Sequence, residues 1–403
     1  MAAGGRFGRR SAMRGLLALA VAKVGAAVVA RVAGRQLQGA DRFAFATGAA
    51  MELPVLAVPL GSLAAAVAWS DVRTGQHHWS DVMAGATLGV AAAAATRRAW
   101  PVAPHEPAGA RMTQEPTTLP AGGRVAIVVN PDAGPAVSLD AEARLRKLLP
   151  DAELMCVDDP AQIPAALDRA SSADVIGISG GDGTVNQAAH TAHTAGKPLL
   201  VVPGGTLNHF ALALGIDTFD DAAEAAKGGK VIEVDVACVA GAQFLNVASF
   251  GVYPELVELR ERLEHRVGKW PAVVIALARV LRKAEPVEVE IDGEHRRLWM
   301  GFVGNCMYHP SGFAPSWRER LDDGELDVRL VDAASPWSRT RLVLAVLTGR
   351  LGRSRVYEAR AAKCLEVRSL QGPLPIAVDG EVVDGPANFA FEKVSDPLQV
   401  LVP

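Results

Sequence analysis

Three glycine-containing loops each follow an apolar segment, and this arrangement constrains the fold more than any other feature of the chain. The segments RVAIVVNP, ADVIGIS and KPLLVVP are typical of buried β-strands. The loops NPDAG (130–134), SGGDGTVN (179–186) and PGGTLN (203–208) come at the ends of these segments. Helical patterns such as SLDAEARLRKLL separate the strands. The alternation predicts a parallel sheet covered by helices on both faces.

The three loops are predicted to form one phosphate-binding crevice. Loops that follow parallel strands meet at the same edge of a sheet, which is where open α/β sheets bind ligands. Glycines let the backbone approach an anion, and a helix N-terminus adds positive partial charge. Asp182 offers a carboxylate for a phosphate-bound Mg²⁺. The predicted backbone and side-chain contacts to the phosphates are Gly180, Gly181, Gly183, Thr184, Thr206 and Asn208.

Composition divides the rest of the chain into segments. Residues 101–122 contain five prolines in a polar stretch, which is typical of a linker. Residues 123–235 carry the alternating pattern. Residues 236–403 have the pattern of antiparallel strands with polar alternation, interrupted by one helical insertion. Their C-terminal end either stays in this lobe or returns to the first lobe. We therefore predict an α/β lobe followed by a β-rich lobe.

Four ordered motifs in residues 123–403 resemble the diacylglycerol kinase catalytic-domain family, which includes bacterial lipid kinases. They are NPDAG, GGDGTVN, PGGTLNHFA and the later VDGE. The resemblance implies ATP-dependent, Mg²⁺-assisted phosphorylation of a diacylglycerol-like lipid by a two-lobed enzyme with its site between the lobes. The ATP-binding residues that it implies, together with those predicted above, are Asn130, Gly180, Gly181, Asp182, Gly183, Thr184, Val185, Asn186, Gly205, Thr206 and Asn208.

The same resemblance assigns roles to three acidic residues. Asp379 of VDGE is the implied general base for the lipid hydroxyl, and Glu381 lies beside it. Asp323, in LDDGELD, is the implied ligand of a structural Mg²⁺, whereas Asp182 is the predicted ligand of the Mg²⁺ bound to ATP. An Asp-Gly pair is also a strong hairpin signal, so a turn is the structural alternative for both Asp379 and Asp323. Gln187 and His209 stand where the family often has acidic residues.

Residues 1–100 are predicted to form a helical membrane segment. They hold 11 Lys and Arg residues but only four Asp and Glu residues, although the whole chain has 41 and 44. Apolar runs at 14–33, 36–51, 54–70 and 82–98 are interpreted as four membrane crossings, with a shallow interfacial anchor as the alternative. Arginines near the N-terminus and at 97–98 place the kinase on the cytoplasmic side of the inner membrane.

The stretch SDVRTGQHHWSDVMAGATLG, residues 70–89, resembles the last signature of the phosphatidic acid phosphatase type 2 superfamily. Ser70, His77 and Asp81 hold the matching positions, and the resemblance implies a nucleophilic role for His77. The arginine of the signature is replaced by Asp71, and no earlier histidine exists to act as the general acid. We therefore predict a degenerate segment without phosphatase activity.

Three other interpretations remain open at the level of sequence. NAD kinases share a GGDGT loop, so an NAD kinase-like enzyme is one alternative. A non-catalytic nucleotide-binding regulator is another, because Gln187 and His209 remove negative charge. A bifunctional lipid kinase and phosphatase is the third. A nucleic acid partner is not expected, because the basic residues are not interleaved with aromatic ones.

Overall fold

The computed structural model describes residues 18–19, 22–23, 40–52, 57–74, 78–99, 107–113, 124–130, 141–205, 208–228, 230–252, 285–310, 317–347 and 351–403. The chain divides into two units, residues 1–103 and residues 104–403. The second unit contains both lobes that the sequence predicts.

The helices within the described residues are α1 (Ala40–Glu52), α2 (Ala57–Arg73), α3 (Trp79–Ala99), α4 (Ala141–Leu148), α5 (Ile163–Ala170), α6 (Asp182–Ala195), α7 (His209–Ala213), α8 (Phe219–Gly228) and α9 (Ser338–Leu347). The strands are β1 (Arg111–Met112), β2 (Val125–Val129), β3 (Glu153–Cys156), β4 (Val175–Gly180), β5 (Leu199–Pro203), β6 (Lys230–Val234), β7 (Ala237–Val239), β8 (Ala242–Phe244), β9 (Val247–Gly251), β10 (Val287–Ile291), β11 (Glu294–Asn305), β12 (Tyr308–His309), β13 (Trp317–Arg318), β14 (Leu326–Asp332), β15 (Tyr357–Ala362), β16 (Cys364–Ser369), β17 (Leu374–Val378), β18 (Glu381–Gly385), β19 (Asn388–Lys393) and β20 (Leu398–Val402).

The first lobe is built on a seven-stranded sheet with the order β1-β6-β20-β5-β4-β2-β3. Strands β2 to β5 and β20 run parallel, and β6 is antiparallel to β20. Every residue of β4 and β5 is buried, as expected for central strands of a parallel sheet. Helices α5, α6 and α8 pack on this sheet and share its apolar core.

The C-terminal strand β20 belongs to the first lobe. The chain leaves the first lobe after β6, forms the second lobe, and returns so that β20 lies between β5 and β6. Leu398, Val400 and Leu401 are almost fully buried there. The two lobes are therefore joined by two connections rather than one.

The second lobe is an antiparallel sheet of eleven strands, which confirms the predicted β-rich lobe. Its longest strand, β11, pairs with β10 along its first half and with β9 and β14 along its second half. The register shifts between Leu298 and Met300, a bulge that changes the direction of the strand. The core contains stacked and edge-to-face aromatic rings from Phe250, Phe389 and Phe391.

Part of the predicted linker is in contact with the first lobe. Within residues 101–122, β1 pairs with β6, and the Gly109 N–H donates to the Glu319 carbonyl at 2.8 Å. Ala108 donates to the Ala213 carbonyl at 2.8 Å. The proline-rich composition does not reveal this short edge strand, because two residues are too few to give a periodic pattern.

The first unit contains α1, α2 and α3. Ala44 of α1 and Ala92 and Ala93 of α3 form a small buried core together with Ala18 and Ala22. Among the described residues, no helix combines the length and apolarity that a membrane crossing requires. The predicted crossings are therefore not supported by α1, α2 or α3, and most of the predicted crossing at 14–33 lies outside the described residues.

Candidate active site

The first glycine-rich loop joins β4 to α6. Gly181 is the extended residue that precedes the helix, and Asp182 is the first helical residue. Asn130, which follows β2, donates from Nδ2 to Thr184 Oγ1 at 3.0 Å. A Cβ atom on Gly180 would lie 2.8 Å from the Thr184 Cβ atom. The first N–H groups of α6 have no partner within the helix, so this end of the helix can accept an anion.

The second glycine-rich loop packs backbone to backbone against the first. A Cβ atom on Gly205 would come 2.5 Å from the Gly181 Cα atom, so position 205 has no space for a side chain. Asn208 closes this loop, because its Oδ1 accepts from the Gly205 N–H and its Nδ2 donates to the Gly205 carbonyl, both at 2.8 Å. The predicted contact Thr206 lies outside the described residues.

Asp182 connects the first loop to helix α7. Its two carboxylate oxygens accept the backbone N–H groups of His209 and Phe210, each at 3.2 Å. A carboxylate has about four acceptor positions, so these two hydrogen bonds leave room for a cation. A hard oxygen donor beside an anion-binding helix end suits a Mg²⁺ that accompanies a nucleotide phosphate. The residues present therefore fit this metal.

The side chains of two predicted nucleotide-binding residues contact other parts of the protein. Val185 is buried in the core of the first lobe. Asn186 donates from Nδ2 to the Gln243 carbonyl in β8 at 2.9 Å. These side chains hold α6 to its surroundings, and the backbone of the loop remains the part available to a ligand.

Glu381 brings a carboxylate from the second lobe to the first glycine-rich loop. It is the first residue of β18, and a Cβ atom on Gly183 would lie 2.8 Å from Glu381 Oε1. Glycine at position 183 therefore leaves the space that the Glu381 carboxylate occupies. The two lobes meet at this point, as the sequence predicts.

Asp379 occupies the turn between β17 and β18. The φ angles of Asp379 and Gly380 are 46° and 96°, so both residues of this two-residue hairpin are left-handed. The Asp379 carboxylate accepts three backbone N–H groups, from Leu245 at 2.8 Å, Asn246 at 3.0 Å and Val247 at 2.8 Å. The turn and the functional interpretation are thus compatible, because the turn places the carboxylate in the site.

The environment of Asp379 makes it an unusually basic carboxylate. The pKa of Asp379 is raised to about 6. Burial is the largest cause and the charge of Asp182 also raises the pKa, whereas the three backbone N–H groups lower it. The group is therefore largely ionised at neutral pH and can still accept a proton. This combination suits a general base.

Arg318 is a residue of the site that the sequence motifs did not reveal. Its Nη1 donates to the carbonyls of Leu245 at 2.7 Å and Asn305 at 3.0 Å, and its Nη2 donates to Asn246 Oδ1 at 3.1 Å. The guanidinium carbon lies 5.0 Å from the centre of the Tyr308 ring. Arg318 thus holds the loop whose N–H groups bind Asp379. The relevant contacts are 13 to 73 residues apart in sequence, so no local pattern marks this arginine.

Asp323, the implied ligand of a structural Mg²⁺, lies in a different cluster. Ligand atoms of Asp235, Cys306 and Asp323 lie within 4.8 Å of one another. The Lys393 ammonium also lies in this cluster, 2.9 Å from Asp235 Oδ2. Burial raises the pKa of the Cys306 thiol to about 12, so the thiol is protonated at neutral pH.

The phosphatase-like segment is described only in part. Ser70 lies in α2 and Asp81 lies in α3, while His77 falls outside the described residues. Its interpretation as a degenerate phosphatase stays a prediction.

Comparison with known proteins matches both lobes to characterised sequence families. Residues 124–239 match the diacylglycerol kinase catalytic domain. Residues 246–402 match the YegS C-terminal NAD kinase beta sandwich-like domain.

Individual relatives agree with these matches. The chain is 31% identical over 188 residues to a diacylglycerol kinase of Bacillus subtilis, covering 44% of this chain and 61% of that protein. It is 28% identical over 233 residues to a probable lipid kinase YegS-like of Pseudomonas aeruginosa, covering 56% and 75%. A crystal structure of a diacylglycerol kinase from Bacillus anthracis shares the fold, with a TM-score of 0.50 at 21% identity over 70% of this chain and 97% of that one. The chain spans about three fifths of the length of the Bacillus subtilis relative.

Proposed function

Since the chain belongs to the diacylglycerol kinase family, with the catalytic domain at residues 124–239 and a YegS C-terminal domain at residues 246–402, we propose that it transfers the γ-phosphoryl group of ATP to the hydroxyl of a diacylglycerol-like lipid. The observation that carries the proposal is the position of Glu381 against Gly183, since it brings acidic groups of the second lobe to the phosphate-binding end of α6. The relatives named as a diacylglycerol kinase and as a probable lipid kinase support the choice of a lipid acceptor.

The nucleotide phosphates bind to the two glycine-rich loops. The backbone N–H groups at the start of α6 donate hydrogen bonds to the phosphate oxygens, and Gly181 and Gly205 allow the close approach of the backbone. Asp182 would hold the Mg²⁺, which would neutralise phosphate charge. Thr184, held by Asn130, presents its hydroxyl beside the loop.

Asp379 accepts the proton of the lipid hydroxyl as that oxygen forms its bond to the γ-phosphorus, while the bond from the γ-phosphorus to the bridging oxygen of the β-phosphate breaks and ADP leaves. Its carboxylate is fixed by three backbone N–H groups, so it does not have to reorient during the reaction. A positioned base contributes about 10²–10⁴-fold to a rate. Glu381, beside Asp379 at the start of β18, orients the acceptor hydroxyl towards the glycine-rich loop.

The first unit attaches the enzyme to the surface of its lipid substrate. Helices α2 and α3 expose large apolar side chains, namely Leu63, Trp69, Trp79 and Met83. Tryptophan and large apolar side chains favour the boundary between headgroups and acyl chains. In this proposal the unit lies in the interface of the inner membrane, with the kinase lobes in the cytoplasm where ATP is available.

Transfer of radiolabel from [γ-³²P]ATP tests the activity. The purified chain is incubated with Mg²⁺ and vesicles containing diacylglycerol, and the lipid product is separated by chromatography. We expect labelled phosphatidic acid from the wild-type chain, and a loss of at least about 100-fold in Asp182→Asn. ATP binding without labelled lipid would instead indicate a nucleotide-binding regulator.

An NAD kinase-like activity is the second candidate, because the second lobe matches an NAD kinase beta sandwich-like domain. The same assay with NAD as acceptor separates the two candidates. Labelled NADP, without labelled lipid, would reject the lipid kinase proposal.

A further inference from the structure

The two connections between the lobes pass side by side. The first runs from Val234 at the end of β6 to Ala237 at the start of β7, and the second follows Lys393 at the end of β19. The Val394 N–H donates to the Val236 carbonyl at 2.9 Å, which joins the two connections directly.

Lys393 places an ammonium group between these connections. Its Nζ lies 2.9 Å from Asp235 Oδ2, 2.6 Å from Asn305 Oδ1 and 3.4 Å from Cys306 Sγ. An ammonium group has three N–H donors, so these three partners satisfy it completely. The side chain is only 14% exposed, so this is a largely buried contact rather than a surface ion pair.

Backbone N–H groups also bond to the carboxylates of the cluster, although they do not fill all of the acceptor positions. Asp323 accepts the Met307 N–H with Oδ2 and the Glu325 N–H with Oδ1, both at 2.9 Å. Asp235 Oδ2 accepts the Gly324 N–H at 2.8 Å in addition to Lys393. Mg²⁺ requires near-octahedral oxygen ligands, and a second positive charge next to the ammonium would be repelled. The residues present therefore do not fit the structural Mg²⁺ that the family resemblance implies at Asp323.

We propose that the Lys393 ammonium is the resident cation of the Asp235–Cys306–Asp323 cluster, where it replaces a divalent metal and ties together the two connections between the lobes. Asp235 belongs to the outgoing connection and Lys393 ends the last strand before the return. Their ion pair fixes the separation of the lobes, and hence the approach of Glu381 to the glycine-rich loop.

Thermal unfolding of the full chain, without nucleotide or lipid, tests this proposal independently of kinase activity. We expect the Tm of the wild-type chain to be unchanged by millimolar MgCl₂ or CaCl₂. Lys393→Gln leaves the partly buried carboxylates without their cation, so its Tm should fall by roughly 5 °C or more. Divalent salt should then restore part of the loss, because Asp235 and Asp323 can bind the metal once the ammonium is gone.

Matched variants make the result specific. Lys227→Gln, at an exposed lysine of α8, should behave as the wild-type chain does. The decrease in Tm of the double variant Asp235→Asn/Lys393→Gln should be smaller than the sum of the decreases in the two single variants. Divalent salt should not change the Tm of the double variant.

Several results would overturn the proposal. One is a wild-type Tm that rises with MgCl₂ and no longer does so in Asp323→Asn. Another is a dialysed wild-type chain that retains one divalent metal ion per molecule by elemental analysis. A Lys393→Gln variant with the wild-type Tm, or with a lowered Tm that neither salt restores, would also contradict it.

Discussion

At the scale of single residues, two glycines of the site lack space for a side chain because of different neighbours. A methyl group on Gly183 would meet the far end of the Glu381 side chain, whereas a methyl group on Gly205 would meet the Gly181 backbone. Side-chain ends can move at little energetic cost, but packed backbone cannot. The same substitution should therefore affect activity at one position and stability at the other.

Gly183→Ala should preserve stability and reduce activity. Alanine is favoured over glycine within a helix by up to about 1 kcal/mol, so the free energy of unfolding should be unchanged or slightly higher. The new methyl group displaces the Glu381 carboxylate, and kcat for lipid phosphorylation should fall about tenfold or more. Steady-state kinetics and denaturant unfolding measure the two effects.

The comparison with Gly205→Ala and a double variant identifies the cause. Gly205→Ala should lower the free energy of unfolding, because the backbone of one loop must shift. Gly183→Ala/Glu381→Ala should be no slower than Glu381→Ala alone, since both changes act through the same carboxylate. Additive losses in the double variant would show that Gly183→Ala acts by another route.

The raised pKa of Asp379 predicts a pH dependence of both rate and stability. Because the folded-state pKa is about 6, the lipid kinase rate should rise with pH through an apparent pKa near 6. The unfolded-state pKa is about 3.9. The stability that Asp379 contributes is therefore fully present below about pH 4 and is lost as the pH rises through about 6.

Two measurements check this expectation. In rate–pH profiles, Glu381→Gln should keep the inflection near pH 6, whereas Asp379→Asn should remain inactive throughout. In thermal melts, the Tm of the wild-type chain relative to Asp379→Ala should decrease between pH 4 and pH 7. An inflection that disappears in Glu381→Gln would reassign the base to Glu381.

At the scale of elements, the site depends on how three short segments are held together. Arg318 in β13 bonds to the segment between β8 and β9, and that segment supplies the N–H groups that bind Asp379 in the β17–β18 turn. Arg318 is thus a positioning residue, because it acts on the proposed base through the backbone of residues 245–247.

Arg318→Lys should lower kcat with little effect on the KM for ATP. Lysine cannot reproduce the planar fork that reaches Leu245, Asn246 and Asn305 together. The loosened loop should also shift the inflection of the rate–pH profile, because the N–H groups that lower the Asp379 pKa become less well placed. Arg360→Lys, at an arginine of β15 in the same lobe, serves as the control and should leave both properties unchanged. A variant with altered Tm but a normal profile would mean that Arg318 is only structural.

The sequence predicts those parts of the fold that depend on local patterns. Buried strands followed by glycine-containing loops identify the first lobe and the first loop of the site, because strand periodicity and turn residues are short-range signals. The position of β20 and the contacts of Arg318 depend on residues far apart in the chain. The five residues of β20 contain no local pattern that identifies the sheet they join. Nothing in the sequence around Arg318 distinguishes it from an arginine at the surface.

At the scale of the whole molecule, the unit of residues 104–403 contains the candidate active site, and we propose that the unit of residues 1–103 contacts lipid. The division lies between residues 103 and 104, before the strand β1 that pairs with the first lobe. A cut after residue 113 would remove that strand and expose the edge of β6.

Removal of residues 1–103 should give a folded kinase with altered substrate preference. We expect cooperative thermal unfolding, near-wild-type rates on dispersed short-chain diacylglycerol, and a rate on vesicles reduced about tenfold or more because the local substrate concentration is lost. Vesicle flotation compares the binding of the two chains. Equal flotation and equal rates on vesicles would contradict the proposed role of α2 and α3.

The placement of β20 also has a consequence for how the protein is made. More than 160 residues separate β6 from β20, which lies beside it in the sheet. At about 5–20 residues per second, the ribosome needs roughly ten to thirty seconds to add them. Throughout that interval β5 and β6 lack the strand between them, and their backbone edges are open to other chains. A nascent chain halted within the second lobe therefore carries an incomplete first lobe, which chaperones and proteases can recognise. The first lobe, which holds the proposed ATP site, is complete only when translation has passed both lobes.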